Sequence, residues 1–241
     1  MFKDKIAIVT GGTGALGRVI VNHFAAQGMK VYAPVRSMPE FMKVFEQTDE
    51  TEFRGLPRRY GLPCDATNET DVKEFCDNVV KQEKRIDYLV NTVGGYHPKR
   101  NVIDTDRELI EKQLLLNFYT TFFFAKHTLT YFKMSNFGRV VSIGAKPAVE
   151  TTAGKFAYSF SKMGVVNLMQ TLAAEHKDDN ITFNTIIPSV IDTPANRESM
   201  QNQDFSKWVT PREISEKCLF LCSDEGKSMN GEIIKMYGEC K

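Results

Sequence analysis

The feature that most constrains this chain is a glycine-rich run near its start. Residues 10–17 read TGGTGALG, directly after the apolar stretch Ile6–Val9 and directly before the amphipathic stretch Arg18–Ala26. In a strand–turn–helix unit of this kind, glycine lets the backbone turn tightly and approach a pyrophosphate. Free N–H groups and the positive end of the helix dipole then stabilise the phosphate charge. The run therefore predicts a dinucleotide site.

Apolar runs alternate with helical segments along the chain, which is typical of βαβ units and of a parallel sheet covered on both faces. No linker or repeat interrupts the 241 residues, so we predict an α/β fold with a single domain over residues 1–241. The predicted strands are Ile6–Thr10, Lys30–Val35, Tyr60–Leu62, Tyr88–Asn91, Arg139–Ile143, Ile181–Ile187 and Ile233–Tyr237. The predicted helices are Gly17–Gln27, Glu69–Glu83, Asp106–Lys133, Ala157–His176 and Pro211–Cys222, with helix plus loop over Ser37–Arg59.

Charge and hydropathy argue against some partners. The formal net charge of +1 supplies no global field that would attract nucleic acid or a membrane surface. No apolar run is long enough to span a bilayer, and the chain opens directly into its first predicted strand. We therefore expect a cytoplasmic protein that acts on a small molecule, with no nucleic-acid partner and no membrane partner.

The cysteines point the same way. The chain has five, Cys64, Cys76, Cys218, Cys222 and Cys240, without a CxxC pair, which is typical of reduced cytosolic thiols. Cys218 and Cys222 lie one helical turn apart, but no histidine has metal-ligand spacing from them. This favours an apolar helix face, and we expect no metal.

A second motif lies roughly two-thirds along the chain, where Tyr158 and Lys162 occupy the same face of a predicted helix. An ammonium group near a phenol favours the ionised phenol, so the pair can handle a proton. The alternative is an exposed aromatic residue beside a solvating lysine, because such a pair often occurs by chance. The glycine run upstream favours the proton-handling interpretation.

From Lys5 to Gly238, the chain resembles the short-chain dehydrogenase/reductase family. Besides the two motifs, the resemblance rests on Asp65-Ala66, on the NxxG turn at Asn91–Gly94 and on the PGxxxT-like segment Pro188–Thr193, where Ser189 replaces glycine. It implies an NAD(P)-dependent oxidoreductase on a Rossmann-type doubly wound parallel sheet. It also implies a homodimer or homotetramer that associates through the two long predicted helices.

The resemblance implies roles for individual residues. Tyr158 would be the general acid, Lys162 would lower the pKa of Tyr158 and hold the ribose, and Asn117 would order a proton-relay water. Taken singly, Asp65 could instead be a helix-cap residue and Asn117 a buried helix polar group. The implied cofactor-binding residues are Gly11, Thr13, Gly14, Ala15, Leu16, Gly17, Arg36, Asp65, Ala66, Asn91, Val93, Gly94, Tyr158, Lys162, Pro188, Ile191 and Thr193.

One departure from the family narrows the substrate. The family usually has a carbonyl-polarising serine thirteen residues before the tyrosine, and this chain has Ala145 there. Loss of one oxyanion donor commonly costs about 2–4 kcal/mol. Either the substrate needs no such donor, or Lys146, Thr151 or a water supplies it.

Within the family, several stretches are similar to the dihydropteridine reductases, which also work without the serine: Gly12–Gly17, Gly144–Ala148, Ile191–Arg197, Ser199-Met200 and Asp204–Trp208. This implies a small, electron-poor conjugated acceptor such as a quinonoid dihydropterin, with Tyr96 as the stacking aromatic and Ala145 and Lys146 beside the substrate. The alternative for Tyr96 is an ordinary loop aromatic. We expect the polar segment Ala195–Thr210 to be a mobile lid.

The sequence leaves alternatives for the identity of the cofactor and for the reaction. Val35 and Arg36 follow the second strand, where an NAD site would place a carboxylate, so NADP is favoured and NAD is the alternative. Against NADP, Thr13 and Gly14 stand where a second basic residue often helps. The alternative functions are a carbonyl (ketone, aldehyde or 3-oxoacyl) reductase and a non-catalytic dinucleotide-sensing protein.

Overall fold

The computed structural model describes residues 2–46 and 58–239. Seven strands form one parallel sheet in the order β3-β2-β1-β4-β5-β6-β7. They are β1 Ile6–Thr10, β2 Lys30–Val35, β3 Arg59–Pro63, β4 Tyr88–Asn91, β5 Gly138–Ile143, β6 Ile181–Pro188 and β7 Ile233–Met236. The predicted strands are confirmed, with ends that differ by at most one residue.

The α-helices are α1 Gly17–Ala26, α2 Met38–Glu46, α3 Glu69–Glu83, α4 Arg107–Gln113, α5 Thr120–Ser135, α6 Phe156–Glu175, α7 Pro194–Ser199 and α8 Pro211–Cys222. The helix predicted after Ser37 is α2, and the rest of that prediction, residues 47–57, lies outside the described residues. Short 3-10 turns cover Val102–Asp104, Lys146–Ala148 and Phe205–Lys207.

The helix predicted over Asp106–Lys133 is confirmed as an unbroken helical stretch over Arg107–Ser135, but it is not α-helical throughout. Its middle, Leu114–Tyr119, is a π-helical stretch between α4 and α5. A π-helical turn closes its hydrogen bonds one residue later than an α-helical turn, and such turns are common at functional sites. Asn117 lies inside this stretch and is fully buried.

Helices cover both faces of the sheet, which confirms the Rossmann-type doubly wound architecture. On one face, Phe24 of α1 and Ile214 of α8 belong to one apolar core with the sheet. On the other face, Phe75 of α3, Phe124 of α5 and Met169 of α6 belong to a second core. Because the strand order reverses between β1 and β4, a crevice opens beyond the carboxyl ends of these two strands.

The opposite, amino-terminal edge of the sheet is held by a buried carboxylate. Asp87 accepts hydrogen bonds from the Ile6 backbone N–H at 2.8 Å and from Arg85 Nε at 2.9 Å, and Lys5 Nζ lies 3.4 Å away. A buried charge is stable only when it is paired and hydrogen-bonded in this way. This cluster therefore serves the fold, far from the crevice.

Four cysteines lie within the described residues, and all are buried. Burial raises the pKa of the Cys64 thiol to about 12, and it also raises the pKa values of Cys76, Cys218 and Cys222. Cys218 and Cys222 of α8 pack in the first core, as the apolar-face interpretation predicts. Among residues 2–46 and 58–239, no helix has the length and apolar composition that crossing a membrane requires.

Candidate active site

The glycine run forms a tight turn between β1 and α1. Gly11 has φ of +65°, and a Cβ atom there would lie 2.9 Å from Thr92 Oγ1. A Cβ atom at Gly17 would collide with the Gly11 carbonyl oxygen. In the described part of the chain no side chain caps the N-terminus of α1, so no side chain competes with an anion for that end of the helix. The turn fits a pyrophosphate, and larger side chains at these glycines would fill it.

A cavity of about 450 Å³ lies at the carboxyl ends of β2 and β3. Its lining includes Val35, Arg36, Cys64, Asp65, Asp71 and Glu74. Arg36 is exposed and is the basic residue of that lining. Arg36 and Asp65 therefore line the same cavity, as an adenosine site would require. The carboxylates of Asp71 and Glu74 line it as well.

Asp65 also closes a local turn. Its Oδ1 atom accepts hydrogen bonds from the Thr67 N–H at 2.9 Å and from Thr67 Oγ1 at 2.7 Å. These bonds, and to a smaller degree Arg36, lower the pKa of the Asp65 carboxyl. The helix-cap alternative for Asp65 is wrong, because Asn68 caps α3 by accepting the Thr70 N–H at 2.9 Å.

Tyr158 and Lys162 lie one turn apart on α6. Lys162 Nζ donates a hydrogen bond to the Ile143 carbonyl oxygen at 2.9 Å, at the end of β5. Burial lowers the pKa of Lys162 to about 8, since a desolvated ammonium group is disfavoured.

Burial also raises the pKa of Tyr158 to about 12, with a smaller contribution from Tyr96. The ionised phenol expected from the sequence is therefore not favoured here, because desolvation outweighs any help from Lys162. The phenol keeps its proton at neutral pH, which suits a general acid.

Asn117 joins the π-helical stretch to the loop after β4. Its Oδ1 atom accepts the Gly95 N–H at 2.9 Å, and its Nδ2 atom donates to the Gly95 carbonyl at 3.1 Å and to Gln113 Oε1 at 3.0 Å. A Cβ atom at Gly94 would lie 2.7 Å from Asn117 Oδ1 and 2.9 Å from Lys162 Nζ. Asn117, Gly94 and Lys162 therefore meet at one point.

The loop after β4 is tied to β1. Thr92 Oγ1 donates to the Thr10 carbonyl at 2.6 Å, and Thr10 Oγ1 accepts the N–H groups of Thr92 at 3.1 Å and Val93 at 3.4 Å. Asn91 ends β4, where its Nδ2 atom donates to Ser142 Oγ at 3.1 Å. The predicted NxxG turn thus lies beside the glycine run.

The ring of Tyr96 lies beside that of Tyr158. It is 52 % exposed, and its centroid lies 5.3 Å from that of Tyr158 at an interplanar angle of 86°. Ala145, the second residue after β5, is buried. Lys146 pairs with Glu150 at 3.5 Å and lies 4.8 Å from the Tyr237 ring centroid. Because a carboxylate holds Lys146, it is a poor replacement for the missing serine.

The segment after β6 borders the crevice and holds the predicted lid. Thr193 caps α7 by accepting the Asn196 N–H at 3.3 Å, and Asn196 Nδ2 donates to the Ile191 carbonyl at 2.8 Å. Ser189 Oγ donates to the Tyr237 carbonyl at 2.8 Å, which binds the start of this segment to the chain after β7. Trp208 is buried, so the far end of the lid is anchored in the protein.

Sequence reasoning missed Lys155, which precedes α6. Its Nζ atom lies 5.0 Å from the centroid of the Tyr96 ring. The sequence signal for Lys155 is its position three residues before Tyr158. Its contact with Tyr96 depends on the path of a loop, which the sequence does not reveal.

Known proteins align with almost the whole chain. A family model described as enoyl-(acyl carrier protein) reductase matches residues 12–238. An uncharacterized oxidoreductase of Bacillus subtilis is 26% identical over 98% of this chain and 98% of its own length. A 3-oxoacyl-[acyl-carrier-protein] reductase of Thermotoga maritima is 24% identical over 98% of this chain and 97% of its own.

Solved structures show the same fold. Levodione reductase superposes with a TM-score of 0.87 at 22% identity, over 99% of this chain and 98% of its own. Xylitol dehydrogenase bound to NAD+ superposes with a TM-score of 0.88 at 21% identity, over 98% of this chain and 99% of its own.

Proposed function

Because the chain belongs to the short-chain dehydrogenase/reductase family of oxidoreductases, we propose that it reduces a small conjugated acceptor with NADPH. The specific candidate is a quinonoid dihydropterin, on the similarity to the dihydropteridine reductases. Tyr158 is the proposed general acid.

One observation carries this proposal: an exposed aromatic ring, Tyr96, lies against Tyr158 while the serine position is the buried Ala145. A flat conjugated acceptor can rest on the open part of the Tyr96 ring beside the phenol. Such an acceptor spreads developing charge over its own ring, so it depends less on an oxyanion donor than a simple ketone does.

The chain's residues divide the work. The turn at Gly11–Gly17 and the N-terminus of α1 hold the pyrophosphate, and the cavity at Arg36 and Asp65 holds the adenosine. When bound, the dinucleotide supplies a hydride. Tyr158 holds a proton until the acceptor takes it, a role that typically contributes about a hundred- to ten-thousandfold in rate.

Lys162 and Asn117 position this acid. Lys162 holds the ribose from α6 while Ile143 fixes its ammonium group. Asn117 clamps Gly95 and so sets the path of the chain that leads to Tyr96.

The NADP preference rests on Arg36, which can form charge-assisted bonds with a 2′-phosphate. The carboxylates Asp65, Asp71 and Glu74 in the same lining favour NAD, since they repel that phosphate. Arg36→Ala should weaken NADPH binding far more than NADH binding in fluorescence titrations. Equal losses for both cofactors would contradict the preference for NADP.

The function is tested by following cofactor oxidation with quinonoid dihydropterins, ketones and aldehydes. Tyr158→Phe should lose most activity while cofactor affinity stays nearly unchanged, because only the proton donor is removed. The matched control is Tyr60→Phe on β3, whose ring stacks on Tyr32 away from the crevice. Wild-type turnover by Tyr158→Phe with every accepted substrate would overturn the assignment.

A carbonyl reductase is the second candidate, favoured by relatives such as the Thermotoga maritima reductase. Fast reduction of simple ketones by the wild type, with no turnover of pterins, would establish it. Tight dinucleotide binding without any turnover would instead indicate a sensing protein.

We propose a homodimer or homotetramer in the cytoplasm. Neighbouring apolar side chains are exposed on the outer helices: Leu115, Tyr119, Phe156, Phe160 and Met163. Exposed apolar side chains at this density are typical of interaction surfaces. Light scattering should show an oligomer that Phe160→Glu weakens, and a wild-type monomer at micromolar concentration would contradict this.

A further inference from the structure

Two lysines lie at the rim of the candidate active site. Lys155 Nζ lies 5.0 Å from the Tyr96 ring centroid, and that centroid lies 5.3 Å from the ring of Tyr158. The sum of these two distances is therefore an upper limit for the distance between Lys155 Nζ and the centroid of the Tyr158 ring. A small molecule that reacts at Tyr158 can reach it.

The second lysine, Lys99, is fixed beside Lys155 by the backbone. The Arg100 N–H donates to the Gly154 carbonyl at 2.9 Å, which pairs the two loop segments. Gly154 has φ of +76°, and a Cβ atom there would lie 3.3 Å from Lys99 Cβ. This turn places the stem of Lys99 against the residue that precedes Lys155.

The two ammonium groups repel each other, since the charge of Lys99 acts on Lys155. Partial burial and the charge of Lys99 lower the pKa of Lys155, and no acidic group contributes to that shift. Neither lysine forms an ion pair within residues 2–46 and 58–239, whereas the adjacent Arg100 pairs with Asp106 at 3.2 Å. A bound anion would relieve this repulsion.

A buried polar atom nearby also lacks a partner. His97 Nδ1 lies 2.6 Å from the Pro98 carbonyl oxygen, so Nδ1 carries the hydrogen and Nε2 is the acceptor. Nε2 is buried and has no hydrogen-bond partner among the described residues. The His97 ring is parallel to that of Tyr96, at 5.8 Å between centroids. An N–H or O–H group of a ligand could complete this acceptor, whereas an anionic group could not, since it offers no hydrogen.

We propose that Lys155 and Lys99 bind an anionic group, a carboxylate or a phosphate, on the acceptor that Tyr158 protonates. The inference rests on the proposed reductase function and adds the charge of the substrate. The cofactor's own phosphates have other partners, since the glycine turn and Arg36 lie at the ends of β1 and β2.

The first test compares 4-formylbenzoate with its methyl ester, which share the ring and the aldehyde and differ in charge. Wild type should prefer the acid, as judged by kcat/KM. Lys155→Gln and Lys99→Gln should each reduce that preference about ten- to a hundredfold, because hydrogen bonds to charged groups contribute that much. The matched control is Lys177→Gln, an exposed lysine beyond the other end of α6, which should keep the wild-type preference.

A second test needs no turnover. Calorimetry should show that benzoate or phenyl phosphate binds the enzyme–NADP+ complex more tightly than neutral benzamide, and that Lys155→Gln removes the difference. Benzoate and phenyl phosphate together show which anion is preferred.

The outcomes separate the two proposals. Turnover of acid and ester at equal rates in wild type overturns the anion site but leaves the reductase function intact. Absence of turnover with 4-formylbenzoate, its ester and quinonoid dihydropterins alike, together with selective anion binding, overturns the function but not the anion site. If Lys155→Gln weakens NADPH binding as much as benzoate binding, the lysines serve the cofactor and the proposal fails.

Discussion

The buried ammonium group of Lys162 makes the stability of this protein depend on pH in a way that one substitution can isolate. Burial lowers its pKa from 10.5 to about 8, so the folded protein binds this proton less tightly than the unfolded chain does. The stability contribution is then fully present above pH 10.5 and is lost as pH falls through 8. At pH 7 the buried charge costs about 3 kcal/mol, since each pKa unit corresponds to about 1.4 kcal/mol.

Lys162→Met removes this titration and keeps the length and apolar stem of the side chain. It also leaves the Ile143 carbonyl without its donor, a cost of about 1–3 kcal/mol that does not vary with pH. The informative quantity is therefore the difference in unfolding free energy between wild type and variant. It should be constant from about pH 5.5 to 7 and then move in favour of wild type by about 2 kcal/mol by about pH 9.5.

Urea denaturation followed by circular dichroism measures this difference at each pH, because other titrating groups cancel between the two proteins. The control is Lys177→Met, which removes an exposed lysine and should give a difference that does not change with pH. A Lys162→Met difference that stays constant through pH 9.5 would refute the reasoning, since it would mean that the ammonium group keeps its hydration in the folded state.

Three further substitutions test other parts of the structure. Gly94→Ala should cut kcat at least tenfold and also weaken cofactor binding, because the new methyl group displaces Asn117 and Lys162, the residue proposed to hold the ribose; a normal kcat in steady-state assays would contradict this. Ala145→Ser should raise kcat/KM for simple ketones about ten- to a thousandfold if the natural acceptor is a conjugated ring, whereas strong wild-type ketone activity that the serine leaves unchanged would favour a carbonyl reductase. Asp87→Ala should destabilise the protein by about 1–3 kcal/mol in urea titrations, because it leaves the buried Ile6 N–H without its acceptor and removes the partner of the partly exposed Lys5 and Arg85; a loss below about 0.5 kcal/mol would argue against the cluster's role.

Much of the fold could be predicted from the sequence because the signals were local. Each strand is a short apolar run between turn residues, and the alternation with helices leads to a parallel sheet with short connections. The glycine run indicated the position of the crevice for the same reason. Its glycines respond to contacts within a few residues, as the clash of a Gly17 side chain with Gly11 shows.

The parts that could not be predicted depend on contacts between distant segments. No residue composition distinguishes the π-helical stretch around Asn117 from an α-helix. The hydrogen bonds between Asn117 and Gly95 join residues that are 22 positions apart in the sequence. The raised pKa of Tyr158 follows mainly from burial, with a smaller contribution from Tyr96, and burial depends on the whole fold. Lys99 and Lys155 meet only because Gly154 turns the chain.

The labelling rates of the four buried thiols can measure how often the structure around each of them opens. A thiol that is buried and protonated reacts with an alkylating reagent only during the moments when its surroundings open, so its labelling rate measures the free energy of that opening. Cys64 lies in the wall of the cavity at Arg36. Cys76 is a buried residue of α3, and Cys218 and Cys222 are buried residues of α8. In a Cys240→Ser background, mass spectrometry of the labelled peptides would rank these three regions by stability. Bound dinucleotide should protect Cys64 first, so a single chemical experiment would map where the cofactor stiffens the fold.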